Sequence, residues 1–193
     1  IADEVMTGFG RTGRLFACEH AGVTPDALCL SKGLTGGMLP LALTLFQEGV
    51  YEAFLDARRD RMFFHGHTYT ANPLGCAVAL ASLDLVEAED TPARLAAIGD
   101  RIHAGVASLN DQPGVQEVRH RGGMVAVELT ASDEGYLSQV GDRLRDAAAD
   151  PAHPVLLRPL GNVIYALPPA CLDTAEADLV AETLCAVTSA ALA

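Results

Sequence analysis

Four side chains sit where they could do chemistry. Asp3 lies in the short apolar stretch 1–5, and Lys32 follows the apolar run Ala27–Leu30. Thr68 sits in the aromatic, hydroxyl-rich stretch 63–72, and Arg158 in Leu157-Arg158-Pro159. Lysine is almost never buried unless it is paired or chemically used. A desolvated lysine gives up its proton readily and becomes an amine nucleophile. Three glycines (33, 36 and 37) follow Lys32 within five residues, an odd way to build a plain surface. Each side chain also has an ordinary reading. Lys32 can be a solvated loop lysine, Asp3 a cap or ion-pair partner, Thr68 a hydroxyl satisfying nearby backbone, and Arg158 a surface arginine. Asp3 and Lys32 share one further property: both fall at carboxyl ends of strands, where open α/β sheets bind ligands.

The elements that must position them follow from periodicity and turn chemistry. Residues 1–5 read as a strand end and Ala27–Leu30 as a buried strand, delivered by the turn Thr24-Pro25-Asp26. Residues 15–21 predict a short helix and 39–46 a second buried strand. Residues 48–59 predict a helix with Val50, Ala53, Phe54 and Ala57 on one face. Asn72-Pro73 opens another helix, with asparagine as N-cap and proline at the first helical position. Leu74, Ala77, Val78, Ala81 and Leu85 give that helix an apolar stripe, and its many small residues predict close packing. Composition shifts over 87–92, which places a boundary there and divides the chain into 1–90 and 91–193. The second part reads as a compact α+β unit. A helix runs from Thr91-Pro92 to about residue 109, and strands 115–121 and 124–130 join at Gly122-Gly123. Residues 136–150 predict a helix, and 155–158 and 162–167 short strands. A final helix begins at Asp173, with Glu176 completing a capping box.

Bulk composition narrows the function. The 193 residues are half hydrophobic, so a real core can form. The net charge of −12 argues against a surface for nucleic-acid phosphates. No apolar run is long enough to span a bilayer, and no signal-peptide pattern opens the chain, so a cytoplasmic protein is expected. Cysteines 18, 29, 76, 171 and 185 show no C-x-x-C spacing and read as reduced core residues. His65 and His67 would share a strand face but lack a third ligand nearby, so no metal site is expected. Gly8-Phe-Gly-Arg-Thr-Gly13 matches G-x-G-x-x-G literally. A dinucleotide site, however, wants the first glycine tight against an apolar strand and an acid about twenty residues on. Met6-Thr7 separate Gly8 from a strand that ends in acids, and neither Glu19 nor Asp26 ends a clear second strand. The opening residues, apolar and strand-like at once, read as a cut into the middle of a larger protein.

One cofactor asks for all four groups. Pyridoxal phosphate needs a lysine to hold its aldehyde as a Schiff base and a carboxylate to keep its ring nitrogen protonated. Hydroxyl and backbone donors hold its phosphate, and an arginine fork orients a substrate carboxylate.

The motifs that carry these residues occur together and in order: Asp3-Glu-Val-Met-Thr-Gly-Phe-Gly-Arg-Thr-Gly13, Pro25-Asp26, Ser31-Lys-Gly-Leu-Thr-Gly-Gly37 and His65-Gly-His-Thr-Tyr-Thr-Ala-Asn-Pro-Leu74. In this the chain resembles the class III aminotransferases of fold type I, over all of its length but only about the C-terminal half of a typical member. The resemblance implies an α/β fold: the second part of the large α/β/α domain (1–90), then a small C-terminal α+β domain (91–193). It implies pyridoxal 5'-phosphate as cofactor, Lys32 as its covalent anchor and proton shuttle, and Asp3 as partner of the ring nitrogen. Thr68 would bind the phosphate of the other subunit across a homodimer interface, where the active sites lie. Gly66 would line the substrate site, Arg158 take the substrate carboxylate, and Tyr165 lie near the amino donor. Gly8 to Gly13 becomes a structural turn.

Phe16-Ala-Cys-Glu-His20, Leu157-Arg-Pro-Leu-Gly161 and Val163-Ile-Tyr-Ala-Leu-Pro-Pro169 resemble the branch that makes 7,8-diaminononanoate from 8-amino-7-oxononanoate in biotin synthesis, with S-adenosylmethionine as donor. Met6 stands where many members carry a glutamine, which that branch tolerates. The alternatives are a class III enzyme acting on ornithine or an ω-amino acid, and a fragment inactive by itself because half of its site is missing.

Overall fold

In the computed structural model, which describes residues 1–131 and 139–193, the chain forms two units, Ile1–Pro92 and Ala93–Ala193. The first is built on a sheet of order β1-β2-β3. Strand β1 (Ala2–Asp3) runs parallel to β2 (Ala27–Leu30), with Asp3 opposite Cys29. Strand β3 (Leu43–Phe46) lies antiparallel on the other side of β2, with Leu43 opposite Leu30. The expected buried strand over 39–46 is thus shorter. It is also an edge strand, and all four of its residues are exposed.

Helix α1 (Glu48–Glu52) is much shorter than the predicted 48–59. Asp56 explains the break: its carboxylate accepts from the Arg58 backbone N–H at 2.9 Å and pairs with the Arg58 side chain. A short acidic side chain that bonds local backbone competes with the helix. A separate 3-10 turn, Arg59–Arg61, follows. Helix α2 (Pro73–Ala88) begins as predicted, with Asn72 Oδ1 accepting from the Gly75 N–H at 2.7 Å. Its buried residues are Gly75 and Ala79, whereas Leu74, Ala77, Ala81 and Leu85 of the predicted stripe are exposed. The neighbour selects the small face. Ser82 Oγ donates to the Gly33 carbonyl at 3.2 Å, so the helix lies close against the turn that follows β2. Phe9, Leu30, Leu34 and Ala79 form the buried cluster of this unit, and the Phe9 and Phe16 rings meet edge to face at 5.9 Å.

The second unit takes in most of α3 (Thr91–Val106), whose tail tightens into a 3-10 turn, Ala107–Asp111. Strands β4 (Val115–Arg121) and β5 (Met124–Leu129) form the expected hairpin, and β6 (Val163–Ala166) completes an antiparallel sheet of order β4-β5-β6. On β5, Val125, Val127 and Leu129 are fully buried while their neighbours are half-buried, the period of two expected of a sheet with one covered face. Helices α3, α4 (Gln139–Ala148) and α5 (Thr174–Leu192) supply the rest of the core through Ile102, Val106, Leu144, Leu184 and Val187.

Gly99 of α3 meets the hairpin turn so closely that a Cβ there would fall 1.7 Å from the Gly122 carbonyl oxygen. Asp173 caps α5, accepting from the Glu176 N–H at 2.8 Å while Glu176 accepts from the Asp173 N–H at 2.9 Å. Residues 136–138 of the predicted helix 136–150 lie outside the described residues. The predicted strand 155–158 does not form. Pro154 and Pro159 flank it and supply no ladder N–H, and the chain turns instead at Leu160, whose N–H donates to Val163 at 2.8 Å. The five thiols are free as expected; Cys171 is exposed, and of the four half-buried ones Cys185 packs against the core of the second unit. Among the described residues no helix is long and apolar enough to cross a membrane.

Candidate functional site

Parallel pairing brings the carboxyl ends of β1 and β2 to one edge. Asp3 ends β1 opposite Cys29, and Lys32 stands three residues beyond Cys29, just past the end of the neighbouring strand. Paired strands lie about 4.8 Å apart, so the acid and the lysine are held on adjacent backbone segments. Both side chains are exposed. Asp3 Oδ1 accepts from the Val5 N–H at 3.1 Å. A desolvated amine is therefore not what this chain presents, because Lys32 lies past the end of β2 and not within it.

The turn that carries Lys32 is firmly built. Lys32 opens a 3-10 turn, Lys32–Thr35, with φ at +46°, a left-handed conformation uncommon for any residue but glycine. Leu34 and Thr35 are buried behind it, Ser31 Oγ donates to the Leu41 carbonyl at 2.8 Å, and Thr35 Oγ1 donates to the Leu39 carbonyl at 2.6 Å. Gly33 faces the Phe9 ring, where a Cβ would approach to 3.0 Å.

Glu4 is a residue that motif and periodicity did not single out. It is 2% exposed, and its carboxylate accepts from the backbone N–H groups of Ala17 at 3.0 Å and Cys18 at 2.7 Å and from the Thr7 hydroxyl. Burial pushes its pKa up, but these hydrogen bonds outweigh burial and hold it below the ordinary carboxylate value. The only signal was the doubled acid: on a strand, consecutive side chains point to opposite faces, so one of Asp3 and Glu4 had to point inward.

The glycine-rich loop between them is a tight turn. Gly13 N–H donates to Gly10 at 2.9 Å, and a Cβ on Gly8 would lie 2.9 Å from the Glu4 carbonyl. The loop leads into a 3-10 helix, Ala17–Ala21, where the sequence predicts a short helix over 15–21.

The other predicted residues belong to other segments of the chain. Gly66 and Thr68 sit on an exposed segment of the first unit, where Phe63 and His65, and His67 and Tyr69, make ring contacts at 5.6 and 5.8 Å. Thr68 makes no hydrogen bond to Asp3 or Lys32 among the described residues. Arg158 and Tyr165 belong to the second unit. Arg158 is exposed and lines a cleft of about 350 Å³ with Arg145, Ala148, Leu156 and Pro159. Tyr165 is half-buried on β6, opposite Ala126.

Residues 1–187 match the family of class-III aminotransferases. Over 176 residues the chain is 52% identical to the adenosylmethionine-8-amino-7-oxononanoate aminotransferase of Synechococcus elongatus, covering 91% of this chain and 41% of that protein. The enzyme of the same name from Geobacter sulfurreducens is 46% identical over 190 residues, covering 95% and 42%. Among solved structures, an amine transaminase from an uncultivated Pseudomonas species, bound to pyridoxal phosphate, superposes with a TM-score of 0.86 at 39% identity, covering 96% of this chain and 43% of its own. The Methanocaldococcus jannaschii adenosylmethionine-8-amino-7-oxononanoate aminotransferase does so with a TM-score of 0.84 at 36% identity, covering 96% and 44%. The chain thus spans about two fifths of the length of these relatives.

Proposed function

The chain belongs to the class-III aminotransferases and shares the fold type I architecture of their solved members, and from that premise we propose that the complete protein is a pyridoxal-phosphate aminotransferase. We propose further that it converts 8-amino-7-oxononanoate to 7,8-diaminononanoate in the cytoplasm, with S-adenosylmethionine as amino donor. The observation that carries the reading is the placement of Asp3 at the carboxyl end of β1 and of Lys32 just past the carboxyl end of its parallel neighbour β2.

The donor set fits the cofactor: a primary amine suits its aldehyde, and a carboxylate with one oxygen already held by backbone suits its pyridine nitrogen. When bound, pyridoxal phosphate supplies an electron sink for the carbanion formed at the amino-bearing carbon. Asp3 would hold the proton on the ring nitrogen. Lys32 would hold the cofactor through Nζ and move the proton at the amino-bearing carbon of the substrate. The Thr68 hydroxyl would donate to the phosphate in a homodimer. Gly66 would line the substrate site, Arg158 would orient the substrate carboxylate with its planar fork, and Tyr165 would stand near the donor amine. Because the chain is much shorter than its relatives, turnover is expected of the complete protein and not of these 193 residues alone.

The test offers the purified complete protein 8-amino-7-oxononanoate with S-adenosylmethionine, lysine, ornithine or 4-aminobutyrate, and reads 7,8-diaminononanoate by mass spectrometry. Product with S-adenosylmethionine or lysine is expected, and Lys32→Ala lowers turnover by about a hundredfold to ten-thousandfold. Activity with ornithine or 4-aminobutyrate and none with the other two donors overturns the assignment to biotin synthesis.

A further inference from the structure

The proposed reaction leaves one sequence motif without a task, the loop Gly8-Phe-Gly-Arg-Thr-Gly13 between Asp3 and Lys32. We propose that Glu4, whose carboxylate clasps the residues on either side of this loop, Thr7 before it and Ala17 and Cys18 after it, is a positioning residue that fixes Asp3 relative to β2, the strand that precedes Lys32; the proposal rests on the aminotransferase reading.

Asp3 and Glu4 share one backbone segment, with the first side chain exposed and the second buried. Glu4 is anchored in two directions. Its N–H donates at 2.9 Å to the carbonyl of Cys29, the β2 residue that stands opposite Asp3 and three places before Lys32. Its carboxylate accepts from Ala17, Cys18 and Thr7, and its carbonyl accepts from the Gly8 N–H at 3.0 Å. The same loop also reaches the lysine turn. Phe9, buried and at φ +59°, packs against Gly33, the residue after Lys32. One loop therefore touches the backbone beside each of the two functional side chains.

A buried carboxylate is a costly way to fasten a loop. An apolar side chain of similar size would leave the N–H groups of Ala17 and Cys18 without their acceptor, so the carboxylate enforces a geometry as well as filling space. Here that geometry orients the neighbouring residue, whose alignment governs proton placement on a bound ring. A small misplacement of such a group costs up to about a hundredfold in rate.

The test compares Glu4→Ala, Thr7→Val, Asp3→Asn and Lys32→Ala in the complete protein loaded with pyridoxal phosphate. The readouts are the pH titration of the visible absorption band of the bound cofactor, cofactor affinity, and kcat separately from KM. Glu4→Ala is expected to shift the band titration in the direction of Asp3→Asn and to lower kcat by about tenfold to a hundredfold, with KM for the amino donor unchanged. Thr7→Val, which removes a single donor from Glu4, shifts the titration the same way by less. It also decides the matter if Glu4→Ala does not fold. A folded Glu4→Ala or Thr7→Val protein with the parent titration and kcat overturns the proposal, even if its melting temperature falls. If Asp3→Asn and Lys32→Ala leave cofactor binding and turnover unchanged, the aminotransferase reading itself fails, a result separate from the first.

Discussion

The two units hold themselves together differently. In the second, Val125, Val127, Leu129 and Ile164 of the sheet are wholly buried, as are Leu144 and Leu184 of the helices. In the first, the buried cluster is Phe9, Leu30, Leu34 and Ala79, while Leu43, Leu45, Phe46, Phe54, Phe63 and Phe64 are exposed. Yet Asp3 and Lys32, the residues proposed to hold the cofactor, belong to the first. Hydrogen bonds, left-handed turns and missing Cβ atoms set its geometry more than burial does, whereas the second unit is stabilised by packing. The proposed cofactor residues and the larger buried core thus lie in different units.

That contrast can be broken. Ile164→Ala in β6 is expected to cost about 2–5 kcal/mol, read as a fall in the urea midpoint of the chain, as befits a fully buried site. Leu45→Ala in β3, with its side chain already exposed, is expected to stay within about 0.5 kcal/mol. An equal loss at both sites would show that the first unit is packed as tightly as the second. Asp173→Ala removes the cap of α5 and should cost about 1 kcal/mol by the same measurement.

The smallest expected difference is one of pH. Burial and then the charge of neighbouring His120 push the His103 pKa below its ordinary 6.5, against the pull of Asp100. The unfolded chain then takes that proton first, so the second unit loses stability as pH falls below 6.5 and levels off once the folded pKa is passed. Glu4 behaves alike in sign but lower on the scale. Burial raises its pKa, the bonds from Thr7, Ala17 and Cys18 lower it further than burial raises it, and the result lies below 4.5. Its contribution to the first unit is intact above that value and lost as pH falls through the folded pKa. Amide protection factors, taken against the intrinsic exchange rate at each pH, should therefore fall around His103 in α3 below pH 6.5 and in residues 4–18 only below about pH 4.5. His103→Gln and Glu4→Gln should each flatten one response.

The sequence made local and covalent logic legible. The hairpin at Gly122-Gly123, the Asn72 and Asp173 caps, and the strand ends at Asp3 and before Lys32 all follow from residues close together in the chain, whereas the pairing of those two strands does not. The rest depended on partners far along it. Glu4 is satisfied by backbone 13 and 14 residues on, at the start of the 3-10 helix Ala17–Ala21, and nothing in that helix's own pattern points back to an acid. The apolar pattern of α2 points to the wrong face because its larger side chains set the pattern, while the glycine-lined turn it packs on admits only the smaller ones. Residues 39–46 and 48–59 have apolar patterns that promise burial, but β3 is an edge and Asp56 breaks the helix. Thr68, Arg158 and Tyr165 were singled out through likeness to a family, and their contacts within this chain would not have marked them.

Lys32 carries a further consequence. A lysine at φ +46° costs of order 1–3 kcal/mol that glycine or asparagine would largely avoid. A search for stabilising substitutions should therefore find Lys32→Gly among the beneficial ones, although it deletes the amine. Stability and activity would then select opposite residues at this position, and the lysine marks a trade that folding alone would not have made.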